Sequence, residues 1–585
     1  MLDAVIKGGT VIDGTGAAPR PADVGIRHGR IVAVGQVTEP ARETIDATGK
    51  LVTPGFVDAH THYDAQLFWD PYATPSSLHG VTSVVAGNCG FTLAPMEARD
   101  ADFLRRMMAQ VEGMPIEALE VGIPWDWRTY GEFLDKFTDR LGVNVAFMVG
   151  HCALRRTVMG EDSDKTATPA QVDAMVDLLH ECIDAGGLGF STSLAYTHID
   201  GDGRPVPSRF ADWNDEVVPL CRAVGDHPGT TLEFITDGCA GKFSEDEIEL
   251  MSQMSGQAQR PLNWNILHVT AENKAAYQHQ NNASKRAAAK GAKVVALTMP
   301  VNVQNTVSFL THCVLHVLPG WGEILRLPVP ERIAALKDPK IRAQMMESAS
   351  HAEAGPRLNV IKFERYTIAA TFAPENEGLA GRNVGEIAKE RGKSPSDCVF
   401  DIAIADDLRT AFWANSRDDS DECWGLRKEL WEDEHIMLGG SDAGAHLDRM
   451  CGASYPSRFL DDCLNGRKLV TVERAVQMMT QAPARHFGLK ERGEIREGWR
   501  ADIAVIDPKR VAAGPVERRD DLPGGAWRLT SVAHGVEHVF VNGREIVRDG
   551  QVTGVLPGQV LRSGADTYTV LPDPPAARAL AAQPA

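Results

Sequence analysis

The chain has 585 residues, 43% of them hydrophobic, and a formal net charge of -19 at pH 7. It is long enough to bury a large core and too long for one simple small domain, and so acidic a surface repels phosphate backbones, which excludes nucleic acid as a partner. The start, MLDAVIKGGTVIDGTG, lacks the apolar run of a signal peptide, and no window approaches the ~18 uninterrupted apolar residues of a membrane helix. With ten cysteines and no secretion signal, a reducing compartment and a cytoplasmic location are expected.

The first fifty residues are strand-length apolar runs separated by glycine-containing turns, AVIKGGTVIDG, ADVGIRHGRIVAVG and ETIDATGKLVTPG. The same texture returns at GEIREGWRADIAVIDP and GVEHVFVNGREIVRDGQVTG, where Asn542-Gly543 suits a type I′ hairpin turn. The spacing predicts one discontinuous small β-sandwich built from residues 1–54 and 491–560. Between them, residues 55–490 alternate strand-like runs with helical patterns. VTSVVAG (81–87), VNVAFMVG (143–150), GLGFSTS (187–193), TTLEFIT (230–236), PLNWNIL (261–267), KVVALTMP (293–300) and HIMLGGSD (435–442) are the strands, and PAQVDAMVDLLHECIDAG (169–186) exemplifies the helices. Repeated β–α units imply a parallel sheet, and eight of them a closed (β/α)8 TIM barrel, whose active site gathers at the C-terminal ends of the strands. Residues 561–585, rich in alanine and proline, read as a loose C-terminal tail.

Three strand ends carry chemistry. In Pro54-Gly55-Phe56-Val57-Asp58-Ala59-His60-Thr61-His62 two histidines one residue apart share a strand face, so their imidazoles converge like half a zinc site. Asp58, in phase with them, is either a carboxylate that orients an imidazole or a structural acid. Val84-Val85-Ala86-Gly87-Asn88-Cys89-Gly90 ends a strand in a glycine-flanked cysteine, either a buried thiol or a thiolate ligand for a borderline-soft ion. In Gly439-Gly440-Ser441-Asp442 a carboxylate follows a strand among small residues, where it can bind metal, accept a proton from an attacking water and return it to a leaving amine. Asp442 is therefore the candidate catalytic residue, and His446 after it is a candidate substrate contact.

These residues, in this order, resemble the amidohydrolase superfamily. The segments GNCGF, Gly150-His151-Cys152-Ala153-Leu154-Arg155 and Gly189-Phe190-Ser191-Thr192-Ser193 are similar to its N-acyl-D-amino-acid deacylase (D-aminoacylase) branch, and the resemblance spans nearly the whole chain. It implies a (β/α)8 barrel with a small β-domain from both termini, and one or two divalent ions, Zn2+ foremost. It implies Cys89 as a ligand in place of the carboxylated lysine used elsewhere, hydrolysis of a linear amide such as an N-acyl amino acid, and room for a homo-oligomer. The chain departs from the pattern where the family carries histidines after the fifth and sixth strands. Glu233 stands at the first place, as an oxygen ligand or a substrate contact, while His268 and Asn265 compete for the second. The expected metal ligands are thus His60, His62, Cys89, Asp442, Glu233 and His268, with His151, Arg155 and Tyr196 as further substrate contacts. Two added stretches, 95–133 and the one following 299–305, are expected to wall the barrel mouth, with Trp125, Trp127 and Trp321 either lining an acyl pocket or packing the additions. A cyclic-amide hydrolase of the hydantoinase type and a non-catalytic barrel scaffold are the competing readings.

Overall fold

Eight strands take the β–α alternation into three dimensions in the computed structural model of the chain, which describes residues 1–303, 305–311, 313–350, 360–414 and 418–572. They are β1 (Phe56–Asp58), β2 (Val81–Ala86), β3 (Asn144–Phe147, continued by Val149–Gly150), β4 (Gly189–Ser193), β5 (Thr231–Ile235), β6 (Leu262–Trp264), β7 (Val294–Thr298) and β8 (Ile436–Leu438). Each pairs in parallel with the next, β1 with β2 and β2 with β3 on one side, and β3 through β8 on the other. Met148 breaks β3 into a piece that bonds to β2 and a piece that bonds to β4. The ring closes where β8 meets β1, through a parallel bridge between Thr61 and Ala443. The His62 N–H donates to the Ala443 carbonyl there, at 2.8 Å. This is the expected (β/α)8 barrel.

The strands are short and rich in Val, Leu and Thr, as fits a sheet covered on both faces. Val57 and Ala59, out of phase with the histidines, join Val85, Leu297 and Met437 in an apolar cluster with Ala484 and Phe487 from the segment that follows β8. The histidines are thereby left on the opposite strand face.

Both termini contribute to one small sheet, nine-stranded among the described residues. Leu51–Pro54 pairs antiparallel with Ile503–Ile506, and Val536–Val541 pairs with Arg544–Arg548 around Asn542-Gly543. Asn542 (φ 47°) and Gly543 (φ 75°) both adopt the left-handed backbone that a type I′ turn needs.

Two expectations are corrected. Residues 561–572 are not a loose tail: Leu561 donates its N–H to Val145 O at 2.8 Å, and the buried Thr567 hydroxyl donates to Gly229 O at 2.6 Å. The rest of that stretch, 573–585, lies outside the described residues. The second added stretch is more than a loop. Asn302–Asp421 with Asp448–Met450 is a compact unit of its own, while Met1–Val301, Glu422–Leu447 and Cys451–Ala585 form the other. Its core gathers Phe309, Trp321, Phe363, Tyr366, Phe400 and Phe412, all essentially without solvent contact. The Trp321 indole donates to Met345 O at 2.7 Å, so Trp321 is a core residue rather than a pocket wall.

Candidate metal centre

The strand ends deliver the expected side chains to one point. Beyond β1 the chain stays extended, and the Thr61 N–H bonds Val85 O at 2.9 Å, so His60 and His62 project from one face. Their rings lie 5.2 Å apart, edge to face. After β2 the backbone turns sharply at Gly87 (φ 78°), where a Cβ would stand 2.5 Å from Met148 O, so only glycine fits. The turn presents Cys89, which itself holds φ 56°; Asp442 after β8 holds φ 52°. Left-handed backbone at non-glycine residues costs on the order of 1–3 kcal/mol each and gathers at functional sites.

The distances define a cluster. His60 Nε2 stands 3.2 Å from Asp442 Oδ1 and 3.6 Å from Cys89 Sγ, and His62 Nε2 stands 3.7 Å from the same Asp442 oxygen. Glu233, on β5, places Oε1 4.0 Å from Cys89 Sγ and accepts the Cys89 N–H on Oε2 at 2.7 Å. His60 turns Nδ1 toward Glu233, at 3.9 Å, and His62 turns Nδ1 toward Glu112, at 3.5 Å. Both Nδ1 atoms are buried without a hydrogen-bond partner among the described residues. A carboxylate behind each Nδ1 favours the proton there and leaves the Nε2 lone pairs for the shared centre.

The electrostatics favour a cation. Burial, together with the charges of Glu233, Glu112 and Asp442, pushes the Cys89 thiol well above its ordinary range. Burial likewise raises Glu233 to about 7, against the pull of His60. Burial opposes ionisation of Asp442 too, but the hydrogen bond and charge of His60, with His62 and His446, hold its carboxyl below the usual carboxylate range. Without a cation this group of donors is kept near neutrality by protons, which a divalent ion would replace. Ligands held ~2.0–2.3 Å from one tetrahedral ion stand roughly 3.3–3.7 Å apart, close to the 3.2 and 3.6 Å from His60 Nε2 to Asp442 and Cys89 and the 3.7 Å from His62 Nε2 to Asp442, and the His60, His62 and Cys89 donors all lie within 4.8 Å of one another. The thiolate, imidazole and carboxylate set therefore fits a borderline-soft divalent ion. The Asp442 side chain is 34% exposed, so it also faces the mouth, where a substrate would meet it.

Other expectations change with the coordinates. His268 is exposed in the segment after β6 and does not join His60, His62 and Cys89. Because β6 ends at Trp264, Asn265 takes the facing position, and its amide donates to Cys89 Sγ at 3.4 Å. His151 and Arg155 are buried and spent internally. His151 bonds Thr192 Oγ1 at 2.8 Å and Glu216 Oε1 at 2.9 Å. The Arg155 guanidinium pairs with Glu216 and donates to Ser163 O and Lys165 O. Neither keeps a donor for a substrate, which corrects both expected contacts. Tyr196, half-buried after β4, gives its N–H to Asp237, and His446, half-buried, gives its N–H to Glu112 O. Asp58 accepts from the Ser441 hydroxyl at 2.6 Å, tying β1 to the end of β8 rather than orienting an imidazole. Trp127 is buried against Phe68 and donates to Leu93 O at 2.9 Å, while Trp125 stacks on Trp127 and donates to Leu119 O, so both pack the first addition. That addition instead supplies Glu112, which caps helix α1 (Ala101–Val111). A lone acid after an amphipathic helix gives no sequence signal of such a role.

The model of the amidohydrolase family matches residues 43–547. The chain belongs to the amidohydrolase family. Within that family it is 32% identical over 605 residues to an uncharacterised protein of Mycobacterium tuberculosis, with 96% of each chain covered. It is 28% identical over 575 residues to the D-aminoacylase of Alcaligenes xylosoxydans xylosoxydans, covering 96% of this chain and 97% of that one. The amidohydrolase barrel superposes on N-acyl-D-glutamate deacylase from Bordetella bronchiseptica, solved with zinc and a phosphonate mimic of the tetrahedral intermediate. The TM-score is 0.64 at 26% identity, over 96% of this chain and all of the other.

Proposed function

We propose that this amidohydrolase is a metal-dependent deacylase that hydrolyses the linear amide bond of N-acyl amino acids. The observation that carries the reading is the meeting of Cys89 Sγ and Asp442 Oδ1 at one histidine nitrogen, 3.6 and 3.2 Å away, from strand ends far apart in sequence. Likeness to D-aminoacylase along nearly the full length of both chains supports the substrate class. Zn2+ is the assigned ion, held by His60, His62, Cys89 and Asp442 with Glu233 beside them. Its chemistry there is to polarise the scissile carbonyl and to acidify the attacking water.

The chain's own groups do the rest. Asp442, ionised and turned to the mouth, accepts a proton from the attacking water and gives it to the amide nitrogen as the C–N bond breaks, so the products are a carboxylate and an amine. Glu112 and Glu233 keep the two imidazoles oriented through Nδ1. His446 and Tyr196 are proposed substrate contacts. Among the described residues no helix is long and apolar enough to cross a membrane. All ten cysteines are buried thiols, which supports the cytoplasmic placement.

The test is metal analysis of protein purified without chelators, followed by assay of N-acyl-D- and L-amino acids beside hydantoins. The expected outcome is stoichiometric metal with turnover of an N-acyl amino acid. Hydrolysis of hydantoins alone would replace this reading with the cyclic-amide one, and a metal-free, inert protein would leave a scaffold.

A further inference from the structure

An N-acyl amino acid brings a carboxylate to a site that is already acidic. Asp442, Glu233 and Glu112 surround the metal centre, and the chain carries a net charge of -19. The ion takes the amide end of such a substrate. The carboxylate stands a few bonds away, so the cation that offsets it belongs on the rim beside the cluster rather than within it.

One arginine on the rim is arranged for this. Arg209 follows the loop after β4 and is held there by its neighbour, because Ser208 donates its hydroxyl to Ser193 O, the last residue of β4, at 2.6 Å. Its Nη1 donates to the Tyr196 carbonyl at 3.3 Å. The N–H of Tyr196 is in turn accepted by Asp237, just beyond the end of β5, so Arg209 stands over the gap between β4 and β5. In the same loop, His198 bonds Ser193 Oγ at 2.6 Å and sets its ring 5.1 Å from Phe91, two residues past Cys89. The loop that carries Arg209 is therefore packed onto the turn that carries the thiol.

Arg209 is half-buried, yet among the described residues no carboxylate comes within ion-pair distance of it, and the Tyr196 carbonyl is the protein group that takes its hydrogen bond. Most other partly buried arginines here are paired, as Arg155 is with Glu216 and Arg492 with Asp502. A cation withdrawn from water without a counter-charge is costly and is normally matched by an anion. Burial lowers the Arg209 pKa, against the field of the nearby Asp237, which expresses that cost. His198 feels Asp442, Arg209 and His60 together, in keeping with one shared mouth.

We infer that Arg209 receives a carboxylate of the substrate at the barrel rim and so selects N-acyl amino acids over neutral amides, an inference that rests on the deacylase reading. The carboxylate is either the α-carboxylate or that of an acidic side chain. Arg209 leaves the reacting bond to Asp442 and the ion.

The test compares the metal-loaded wild type with Arg209→Met and Arg209→Lys on four substrates: N-acetyl-D-alanine, N-acetyl-D-alaninamide, N-acetyl-D-glutamate and N-acetyl-D-glutamine. Arg209→Met should raise KM for carboxylate substrates roughly 10- to 100-fold with kcat changed only a few-fold, while the alaninamide is unaffected. Arg209→Lys should recover part of the loss. Loss on alanine, glutamate and glutamine substrates alike assigns the α-carboxylate; loss on glutamate alone assigns the side chain. Equal loss on all four substrates, or none, overturns the inference. Binding of the same compounds to Asp442→Asn, with and without Arg209→Met, separates the two claims. Carboxylate binding that depends on Arg209, in a protein whose wild type hydrolyses none of them, supports the anchor and defeats the deacylase reading. Carboxylate and amide bound alike, with or without Arg209→Met, defeats the anchor.

Discussion

Asp442 has two tasks that a single substitution can separate. As an oxygen donor to the ion it shares the centre with His60, and as a proton carrier it needs an ionised oxygen facing the mouth. Asp442→Asn keeps the shape and an oxygen but cannot accept the proton. It should lower kcat about 10²- to 10⁴-fold while the far-ultraviolet circular dichroism stays unchanged; a variant with wild-type kcat would end the assignment. At this scale the sequence was readable where chemistry and strand phase coincide. His60 and His62 announce themselves by alternation, and Cys89 and Asp442 by small residues at strand ends. Glu112 and Asn265 did not, because their roles depend on where a helix end and a loop lie in space. His151 and Arg155 mislead for a related reason. A strand-end histidine and a following arginine look like ligand contacts until a buried glutamate from another segment, Glu216, is found to occupy both.

Among the elements, the eight strands are legible because each is a short, mostly apolar run followed by glycine or polar residues, whereas barrel closure rests on the Thr61–Ala443 bridge, which no local pattern announces. The stretch that follows 299–305 reads as a wall of the barrel mouth rather than as the compact unit Asn302–Asp421, since helices and short strands in an irregular order carry no sign that they share a core. That shared core makes a prediction. Trp321→Ala removes a fully buried indole and should cost about 3–5 kcal/mol within that unit. Hydrogen exchange should then rise in its helices Val329–Lys337 and Pro395–Ala405 while β2 and β7 stay protected. Equal loss of protection in the barrel strands would show one cooperative core instead.

A second element to test is the 3-10 turn Ser76–His79 that leads into β2. His79 is buried there between Ser457 Oγ at 2.9 Å and Ser531 O at 3.1 Å, and burial depresses its pKa from 6.5 to about 4. The unfolded chain therefore binds more protons than the folded one between those values. The stability His79 contributes is present above pH ~6.5 and is lost as pH falls toward ~4, on the order of 3 kcal/mol in all. His79→Gln should accordingly show a smaller drop in Tm between pH 7 and pH 5 than the wild type does. An identical drop in both would mean that His79 is not part of the acid sensitivity.

For the whole molecule, the centre ties β1, β2, β5 and β8 together, so a bound ion stabilises the closed barrel by mass action. Chelation should lower Tm, and Zn2+ should restore it with a concentration dependence that steepens as pH rises, because the Cys89 thiol and the His60 imidazolium must lose protons to bind. A Tm indifferent to chelator would mean that the barrel closes without the ion. The central claim is that two imidazoles, a thiolate and a carboxylate from distant segments share one cation. The most direct measurement is anomalous diffraction at the zinc edge from crystals of the Zn2+-loaded protein. The account predicts a peak ~2.3 Å from Cys89 Sγ and ~2.0–2.2 Å from His60, His62 and Asp442. A zinc peak elsewhere, or one beyond bonding distance of Cys89 and Asp442, would contradict it.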